Sequence, residues 1–466
     1  MTRPADRSRL DRRRDDGRPD PPRRDDRPRD APRRHDREIL ALAVPAFGAL
    51  VAEPLFLMAD SAIVGHLGTP QLAGVGVASA ALSTIAGVFV FLAYATTAAV
   101  ARRIGAGDRR AAVQQGLDGI WLALLLSLGV TALALLLAPW AVSVLGASPT
   151  AAPHAVTYLR ISSLGLPAML MVMAATGVLR GLQDTRTPLV VAVGGFTANL
   201  GLNVALVYGA GLGVAGSAWG TVLAQTGMAA VYLVVVVRGA RREGAGLRPD
   251  PSGIRACARA GGPLMVRTLS LRAVLMIATA VAARLGDEGI AAHQIAMSLW
   301  NFLAFALDAI AIAGQAIVGR YLGAGDVPGT RAATRRMVQW GVGCGVLLGL
   351  LLVLARPLYV PLFTPDPSVQ QQLYGVLLLV ALSQPVAGVV FVLDGVLMGA
   401  GDSGYLAWAM LGTLIAFVPA ALAVPALGLG VTGLWWAMNV FMLVRGAFLC
   451  GRVRTGRWLV TGAVRA

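Results

Sequence analysis

The segments ARRIGAGDRRAA (residues 101–112) and VGRYLGAGDVPGT (residues 318–330) share the tetrapeptide Gly-Ala-Gly-Asp, and the two copies lie 218 residues apart. In each segment a glycine-rich turn with a charged residue interrupts a long apolar stretch, as a connection between helices does. Other residues repeat at the same offset: Pro45 with Pro263, Pro167 with Pro385, and Asp184 with Asp402. So many Gly, Pro and Asp matches in one register predict that the chain consists of two fused copies of one unit.

The stretches between these turns are long and apolar. Hydrophobic residues make up 56% of the 466 residues and charged residues only 14%, whereas a hydrocarbon core roughly 30 Å thick needs about 20 apolar residues per helix. We therefore predict an all-α integral membrane protein with twelve transmembrane helices, arranged in two six-helix lobes related by a parallel internal repeat. The predicted spans are 39–64, 71–101, 111–138, 152–179, 188–209 and 214–237, followed by 257–284, 290–319, 332–355, 369–399, 405–427 and 431–451.

The number of spans in each half constrains the symmetry. Because six is an even number, both halves enter the membrane from the same side, and an axis along the membrane normal relates them. A parallel repeat of this kind leaves a cavity between two lobes, and rocking of one lobe against the other exposes the cavity to each side in turn. The repeat therefore indicates a transporter.

Arginines indicate the orientation. They cluster in the connections after spans two, four, six and eight, and are nearly absent from the odd-numbered connections. Because positively charged loops stay in the cytoplasm, we expect both termini there. We divide the chain into a disordered Arg/Asp/Pro-rich cytoplasmic tail (1–37), an N-lobe (38–250), a C-lobe (251–452) and a C-terminal cytoplasmic tail (453–466).

Carboxylates inside the predicted spans are candidate site residues. An ionised Asp at the centre of a membrane helix costs roughly 2.5 to 3.5 kcal/mol, so such residues normally face the bundle or a wet cavity. Asp60 in span one is a candidate coupling-ion site for a proton or sodium, with a structural hydrogen bond as the alternative. Asp308 in span eight and Asp394 in span ten are candidates for a C-lobe ion or substrate site, or for structural pairs with neighbouring helices.

Polar residues elsewhere in the spans extend this list. Asn199 and Asn203 lie four residues apart on span five and face the same way. They either join the coupling-ion site in a polar network or bond two helices together. Tyr94 is a candidate cavity residue, because an aromatic ring accepts flat cations.

Two intramembrane arginines are candidate partners for these acids. Glu53 lies seven residues, or two helical turns, before Asp60. The repeat places Arg272 at a depth similar to that of Glu53, so an ion pair between them across the lobe interface is one hypothesis. Arg267 is a candidate gate residue, or a partner for one of the two C-lobe carboxylates.

Several function classes find no support in the sequence. No GxxxxGK[ST] pattern occurs, so ATP hydrolysis is not expected to drive the protein. The spans contain no paired His, Ser-Lys or metal-ligand cluster, so we expect neither an enzyme nor a cofactor, and no metal beyond a transported ion. The net charge of +16 lies largely in the tail and the membrane-flanking loops, so we do not expect nucleic acid as a partner.

Four longer stretches resemble a known family. They are AEPLFLMADSAIVGHLGTPQLAGVG at 52–76, GVLRGLQDTRTPL at 177–189, FALDAIAIAGQAIVG at 305–319 and FVLDGVLMGAGD at 391–402. Together with the repeated Gly-Ala-Gly-Asp, they resemble the multidrug and toxic compound extrusion (MATE) family, most closely its DinF-like bacterial branch. The resemblance covers essentially residues 38–452.

This resemblance implies export of small lipophilic, often cationic, organic compounds across the bacterial cytoplasmic membrane in exchange for protons or sodium. The family's first-helix Asp falls on Asp60, and the DinF-like Asp residues of helices eight and ten fall on Asp308 and Asp394. Relatives often carry an Asn followed four residues later by an Asp in helix five. Here the pair reads Asn199 and Asn203, which puts proton coupling through a helix-five Asp in doubt.

The expected partners are small organic substrates and membrane lipid, and the chain is expected to act as a monomer. The runner-up function is that of a flippase for a lipid-linked precursor, from a related superfamily. A flippase of this kind would need a basic central cavity, which Arg267 and Arg272 leave open. Fourteen helices are common there, so the twelve predicted spans favour the exporter.

Overall fold

The computed structural model describes residues 31–464, with side chains from residue 35, and that part of the chain is helical without a strand. The N-terminal half contains α1 (Ala31–Gly65), α2 (Thr69–Phe89), α3 (Phe91–Gly105), α4 (Arg109–Val144), α5 (Ala152–Ser163), α6 (Leu166–Gly181), α7 (Arg186–Val204), a π-helical turn (Ala205–Gly209) and α8 (Gly213–Arg242). The C-terminal half contains α9 (Pro251–Ala283), α10 (Asp287–Gly323), α11 (Val327–Phe363), α12 (Pro367–Gly399), α13 (Ser403–Ala426) and α14 (Gly430–Thr455).

These helices confirm the twelve predicted spans. Eleven helical segments within the described residues are long and apolar enough to cross a membrane, and α5 and α6, which meet at a bend of 52°, count together as a twelfth. Helices α2 and α3 form one span, and α7 continues through the π-helical turn as another. The predicted lobe boundary at residue 250 falls in the connection between α8 and α9.

The repeated tetrapeptide builds the same turn in both halves. Gly107 and Gly325 adopt positive φ angles of 81° and 76°, a conformation that glycine adopts at little cost. Asp108 and Asp326 then cap the next helix, since each carboxylate accepts a 2.8 Å hydrogen bond from the backbone N–H three residues later. The tetrapeptide is therefore a helix stop followed by a helix start.

The two halves pack together at the arginine-rich ends of α3 and α10. At Gly105 a side chain would collide with the carbonyl of Arg320, and at Gly323 with the carbonyl of Arg102. Glycine at these equivalent positions therefore lets the two backbones touch. Further along the same two helices, away from their arginine-rich ends, Gln315 of α10 donates a 2.6 Å hydrogen bond from Nε2 to the carbonyl of Tyr94 of α3. The protein is thus closed between its halves on the arginine-rich side.

Both ends of the described chain contact the helical bundle. Helix α1 begins at Ala31, so residues 31–37 are helical, which corrects that part of the predicted N-terminal tail. Asp36 pairs with Arg336 of α11 at 2.6 Å because this early helix reaches the C-terminal half. At the other end, Trp458 is 1% exposed, so the segment after α14 is packed rather than solvated. The remainder of the predicted N-terminal tail, residues 1–30, lies outside the described residues.

Candidate functional site

Asp60 is enclosed by neutral hydrogen-bond donors from two other helices. It lies on α1 and is 5% exposed. Its Oδ1 atom accepts a hydrogen bond from Asn203 Nδ2 of α7 and a second, of 3.0 Å, from Ser217 Oγ of α8. Tyr158 of α5 also lies close enough to interact with the carboxylate. The structure thus brings Asp60 and Asn203 together, and the hydrogen bond both belongs to a polar network and joins α1 to α7.

Helical spacing builds the rest of this pocket. Asn199 and Asn203 are one turn apart on α7, and both are buried. Ser217 and Thr221 have the same spacing on α8, and Asn199 donates a 3.3 Å hydrogen bond from Nδ2 to Thr221 Oγ1. A π-helical turn begins at Ala205, directly after this stretch of α7; such turns often occur at functional sites.

No cationic side chain pairs with Asp60 among the residues that the structure describes. A carboxylate in a low-dielectric interior is costly to ionise without a partner, and two neutral hydrogen bonds offset only part of that cost. The Oδ1 atoms of Asn199 and Asn203 also have no hydrogen-bond donor within the described part of the chain. The pocket therefore offers oxygen atoms and one negative charge to a small cation.

Asp394 has the opposite environment. This carboxylate of α12 is also 5% exposed, and it accepts two hydrogen bonds from Arg267 of α9, of which the one from Nε measures 3.2 Å. Arg445 of α14 lies on its other side, with Nη2 3.1 Å from Oδ2. Arg267 is thus a partner of Asp394, one of the alternatives that the sequence left open, and two guanidinium groups compensate the carboxylate.

Asp308 connects this cluster to the N-terminal half. It lies on α10, half-buried, within electrostatic range of Arg267 and of two groups from the other half, Tyr94 of α3 and Arg180 of α6. Residues from both halves therefore contribute to one charged cluster at their interface. With Arg445, the cluster holds three arginines and two aspartates.

The hypothesis of an ion pair between Glu53 and Arg272 is wrong for this structure. Both side chains are exposed and described, and no ion pair joins them. The Arg272 guanidinium instead lies against Gly87 of α2, where the absence of a side chain leaves room for it. Equivalent depth in a repeat does not bring two side chains together when the intervening helix offers a closer surface.

A group of three or more His, Cys, Asp or Glu side chains that could hold a metal ion is absent from residues 31–464. The oxygen-rich pocket around Asp60 contains a single carboxylate, so any sodium bound there would rely on amide and hydroxyl oxygens.

Comparison with known proteins places this geometry in a family. The model of the MatE family matches residues 45–205 and again residues 263–425. The chain belongs to the MatE family of multidrug and toxic compound extrusion transporters. The two matches begin at Pro45 and Pro263, a pair of prolines that the internal repeat also relates.

Relatives of this MatE chain include plant and bacterial proteins. Protein DETOXIFICATION 44, chloroplastic, of Arabidopsis thaliana is 31% identical over 90% of this chain and 83% of its own length. DNA damage-inducible protein F of Escherichia coli strain K12 is also 31% identical, over 90% of this chain and 92% of its own. The second relative agrees with the DinF-like resemblance of the sequence.

A solved structure shares the fold of this MatE chain. The Vibrio cholerae MATE transporter VcmN in its bent form superposes with a TM-score of 0.83, covering 92% of this chain and 99% of the other at 23% identity. The twelve-span architecture is therefore that of a MATE transporter.

Sequence reasoning missed several residues of these two groups. Ser217 and Thr221 carry the same signal as the two asparagines of α7, because they are polar residues one turn apart in an apolar span. Arg445 is a charged residue within the last span, and that alone marks it for attention. Sequence position groups Arg180 with the cytoplasmic loops, although it lies in the last turn of α6 and within electrostatic range of Asp308.

Proposed function

We propose that this MATE protein is a secondary active exporter that exchanges small organic molecules for protons or sodium ions by alternating access. The observation that carries the proposal is the environment of Asp60, a buried carboxylate with hydrogen-bond donors but no cationic partner among the described residues. Such a group is stable when it holds a proton or a metal cation, and costly when it is empty and charged.

Helix α1 gives this binding event a route to the lobe interface. It carries Asp60 and packs against α7 and α2 within its own half and against α10 of the other half. A cation bound at Asp60 changes how the carboxylate attracts Asn203 and Ser217, and so changes the packing of α1 on α7. Because the same helix touches α10, that change favours one arrangement of the lobes over the other.

The driving force is sufficient for export. A proton that crosses about 150 mV releases roughly 3.5 kcal/mol, which sustains a substrate gradient of a few hundredfold. Release of the cation on the low-potential side then returns the carboxylate to its costly charged state. The empty transporter is therefore not expected to change conformation before it binds either substrate or a new cation, and this requirement couples the two movements.

The substrate would lie at the interface of the halves, beside Tyr94 and the cluster around Asp308. Tyr94 supplies an aromatic surface, and Asp308 supplies a carboxylate that lacks a direct ion pair among the described residues. These groups suit a lipophilic organic cation. We extend the proposal to a monomer in the bacterial cytoplasmic membrane. Both termini are expected in the cytoplasm, because the arginines cluster in the even-numbered connections between spans.

Arg267 and Arg445 are not free to bind the anionic headgroup that a flippase would carry, because Asp394 contacts both guanidinium groups. Arg272 packs against α2. The flippase therefore remains the weaker alternative.

Purified protein in liposomes tests the proposal. Under an imposed pH or sodium gradient, the wild type should move an organic cation, and Asp60→Asn should abolish the movement. Asp287→Asn is a matched control because Asp287 is an exposed carboxylate at the start of α10. Gradient-independent movement, or normal transport by Asp60→Asn, would show that Asp60 does not couple a cation to export.

A further inference from the structure

A cavity unrelated to the two carboxylate groups lies on the arginine-rich side, between α11, α12 and α14. Its volume is about 520 Å³. Arg331, Arg335 and Arg454 line it on the side of the helix ends, and its walls are largely apolar, including Val338, Val389, Leu393 and Val453. The cavity therefore combines a cationic rim with a hydrophobic interior.

Helix packing explains why a crevice exists here. Helix α12 packs extensively on both α11 and α14, whereas α11 and α14 scarcely touch each other. Helix α12 forms the floor of the gap between them, and Gly456, Trp458 and Leu459 of the segment after α14 also line it. Val389 lies ten residues before the end of α12 at Gly399, which places it about 15 Å along the helix from its arginine-rich end. The crevice therefore extends about 15 Å from the arginine-rich helix ends toward the middle of α12.

The three arginines of the rim are available to a ligand. Arg331 and Arg335 are one turn apart on α11, and Arg454 lies in the last turn of α14. All three are exposed, and none forms an ion pair with a described carboxylate. Their neighbours Arg336 and Arg452, by contrast, are paired with acidic side chains, Asp36 and Asp402. Three uncompensated positive charges thus remain around one opening.

We propose that this crevice binds an anionic phospholipid of the leaflet on the arginine-rich side. A guanidinium group can donate two parallel hydrogen bonds to two oxygens of one phosphate, and the apolar walls accommodate an acyl chain. Basic pockets between membrane helices on the cytoplasmic side are known to hold such headgroups. A soluble anion would leave the apolar crevice unfilled, and a neutral lipid would leave the three charges unpaired. The orientation of this leaflet toward the cytoplasm rests on the proposed topology, whereas the binding itself does not.

Native mass spectrometry of the detergent-solubilised full chain tests the proposal. Phosphatidylglycerol should be retained at least about tenfold more strongly than phosphatidylcholine with the same acyl chains. The triple variant Arg331→Gln, Arg335→Gln, Arg454→Gln should lose that preference. The control triple Arg238→Gln, Arg241→Gln, Arg242→Gln removes equal charge from exposed residues at the end of α8, which do not line this cavity, and should keep it.

Three results would overturn the proposal. Equal retention of the two lipids would show that the rim does not select an anion. An equal loss of the preference for phosphatidylglycerol in the two triple variants would show that lipid retention depends on overall surface charge and not on this cavity. A thermal stabilisation by glycerol 3-phosphate as large as that by phosphatidylglycerol would show an anion site without a lipid chain. Because no result depends on transport, failure here is separable from failure of the proposed export activity.

Discussion

Arg102 of α3 donates a hydrogen bond from Nη2 to the carbonyl of Val460 at 2.7 Å, and so connects the first half of the protein to its C-terminal segment. Its Nη1 atom donates to the carbonyl of Ala400 at 3.2 Å, between α12 and α13. Two residues further along the segment, Gly462 donates its N–H to the carbonyl of Leu322 at 3.0 Å. The segment after α14 therefore spans both halves where they close.

Loss of this connection should favour opening on the arginine-rich side. Arg102→Gln removes the guanidinium that bonds both carbonyls. We expect it to destabilise the closed state relative to the open state by about 1 to 2 kcal/mol, which lowers the ratio of closed to open molecules roughly five- to thirtyfold. Spin labels attached at Arg110→Cys and Ala332→Cys, in a background without the three native cysteines, would report the distance between the two halves by double electron–electron resonance.

Arg103→Gln is the matched control for this prediction. Arg103 is the next residue of α3, and its Nη1 atom donates a hydrogen bond to the carbonyl of Ala99 in the same helix. It should leave the distance distribution unchanged. An identical distribution for Arg102→Gln would mean that the C-terminal segment does not hold the halves together.

The glycine contact between the halves should be intolerant of side chains. Gly105→Ala or Gly323→Ala places a methyl group against the backbone of the opposite half. We expect each to widen the same label-to-label distance and to reduce export at least about tenfold. Gly194→Ala on α7 is the control, because a side chain there meets nothing within 4 Å, and it should transport normally. Wild-type export by both interface variants would show that close contact is dispensable.

Exchanging the hydrogen-bonded residues Asp60 and Asn203 tests whether the coupling carboxylate must lie on α1. The double variant Asp60→Asn, Asn203→Asp transfers the carboxylate from α1 to α7 while keeping the pair in contact. Cation binding, measured by thermal shift against pH and sodium, should persist, whereas export should fall at least about tenfold because α1 no longer carries the charge. Full export by the double variant would contradict a special role for α1.

The ion pairs of Asp394 should matter for stability. Asp394→Asn leaves Arg267 and Arg445 without the carboxylate that they contact directly, and we expect a loss of about 3 to 5 kcal/mol in the free energy of unfolding. Arg445→Met should cost less than half as much, since the remaining pair stays balanced. Thermal unfolding in detergent would rank the variants. Asp287→Asn, on the protein surface, should change stability by less than about 0.5 kcal/mol.

The sequence predicted elements and candidate acids better than it predicted partners. A membrane span needs a long apolar run, so all twelve spans could be located from the apolar runs in the sequence. Asp60 stands out for the same reason, as a charge in an apolar run. Its partner Ser217 lies 157 residues away, and only the packing of α8 beside α1 selects it. The pairing of Glu53 with Arg272 failed because symmetry fixes depth but leaves side-chain direction open.

Arg180 provides a test of how the interface cluster selects substrates. It lies on α6 within electrostatic range of Tyr94 and Asp308, and it opposes the approach of an organic cation to that carboxylate. At an effective dielectric constant near 20, a charge several ångströms away contributes about 1 to 3 kcal/mol. Arg180→Gln should therefore raise the ratio of cationic to anionic dye export by about tenfold. Arg186→Gln, on an exposed residue at the start of α7, should leave the ratio unchanged. A shift toward anions in Arg180→Gln would place the substrate elsewhere than beside Asp308.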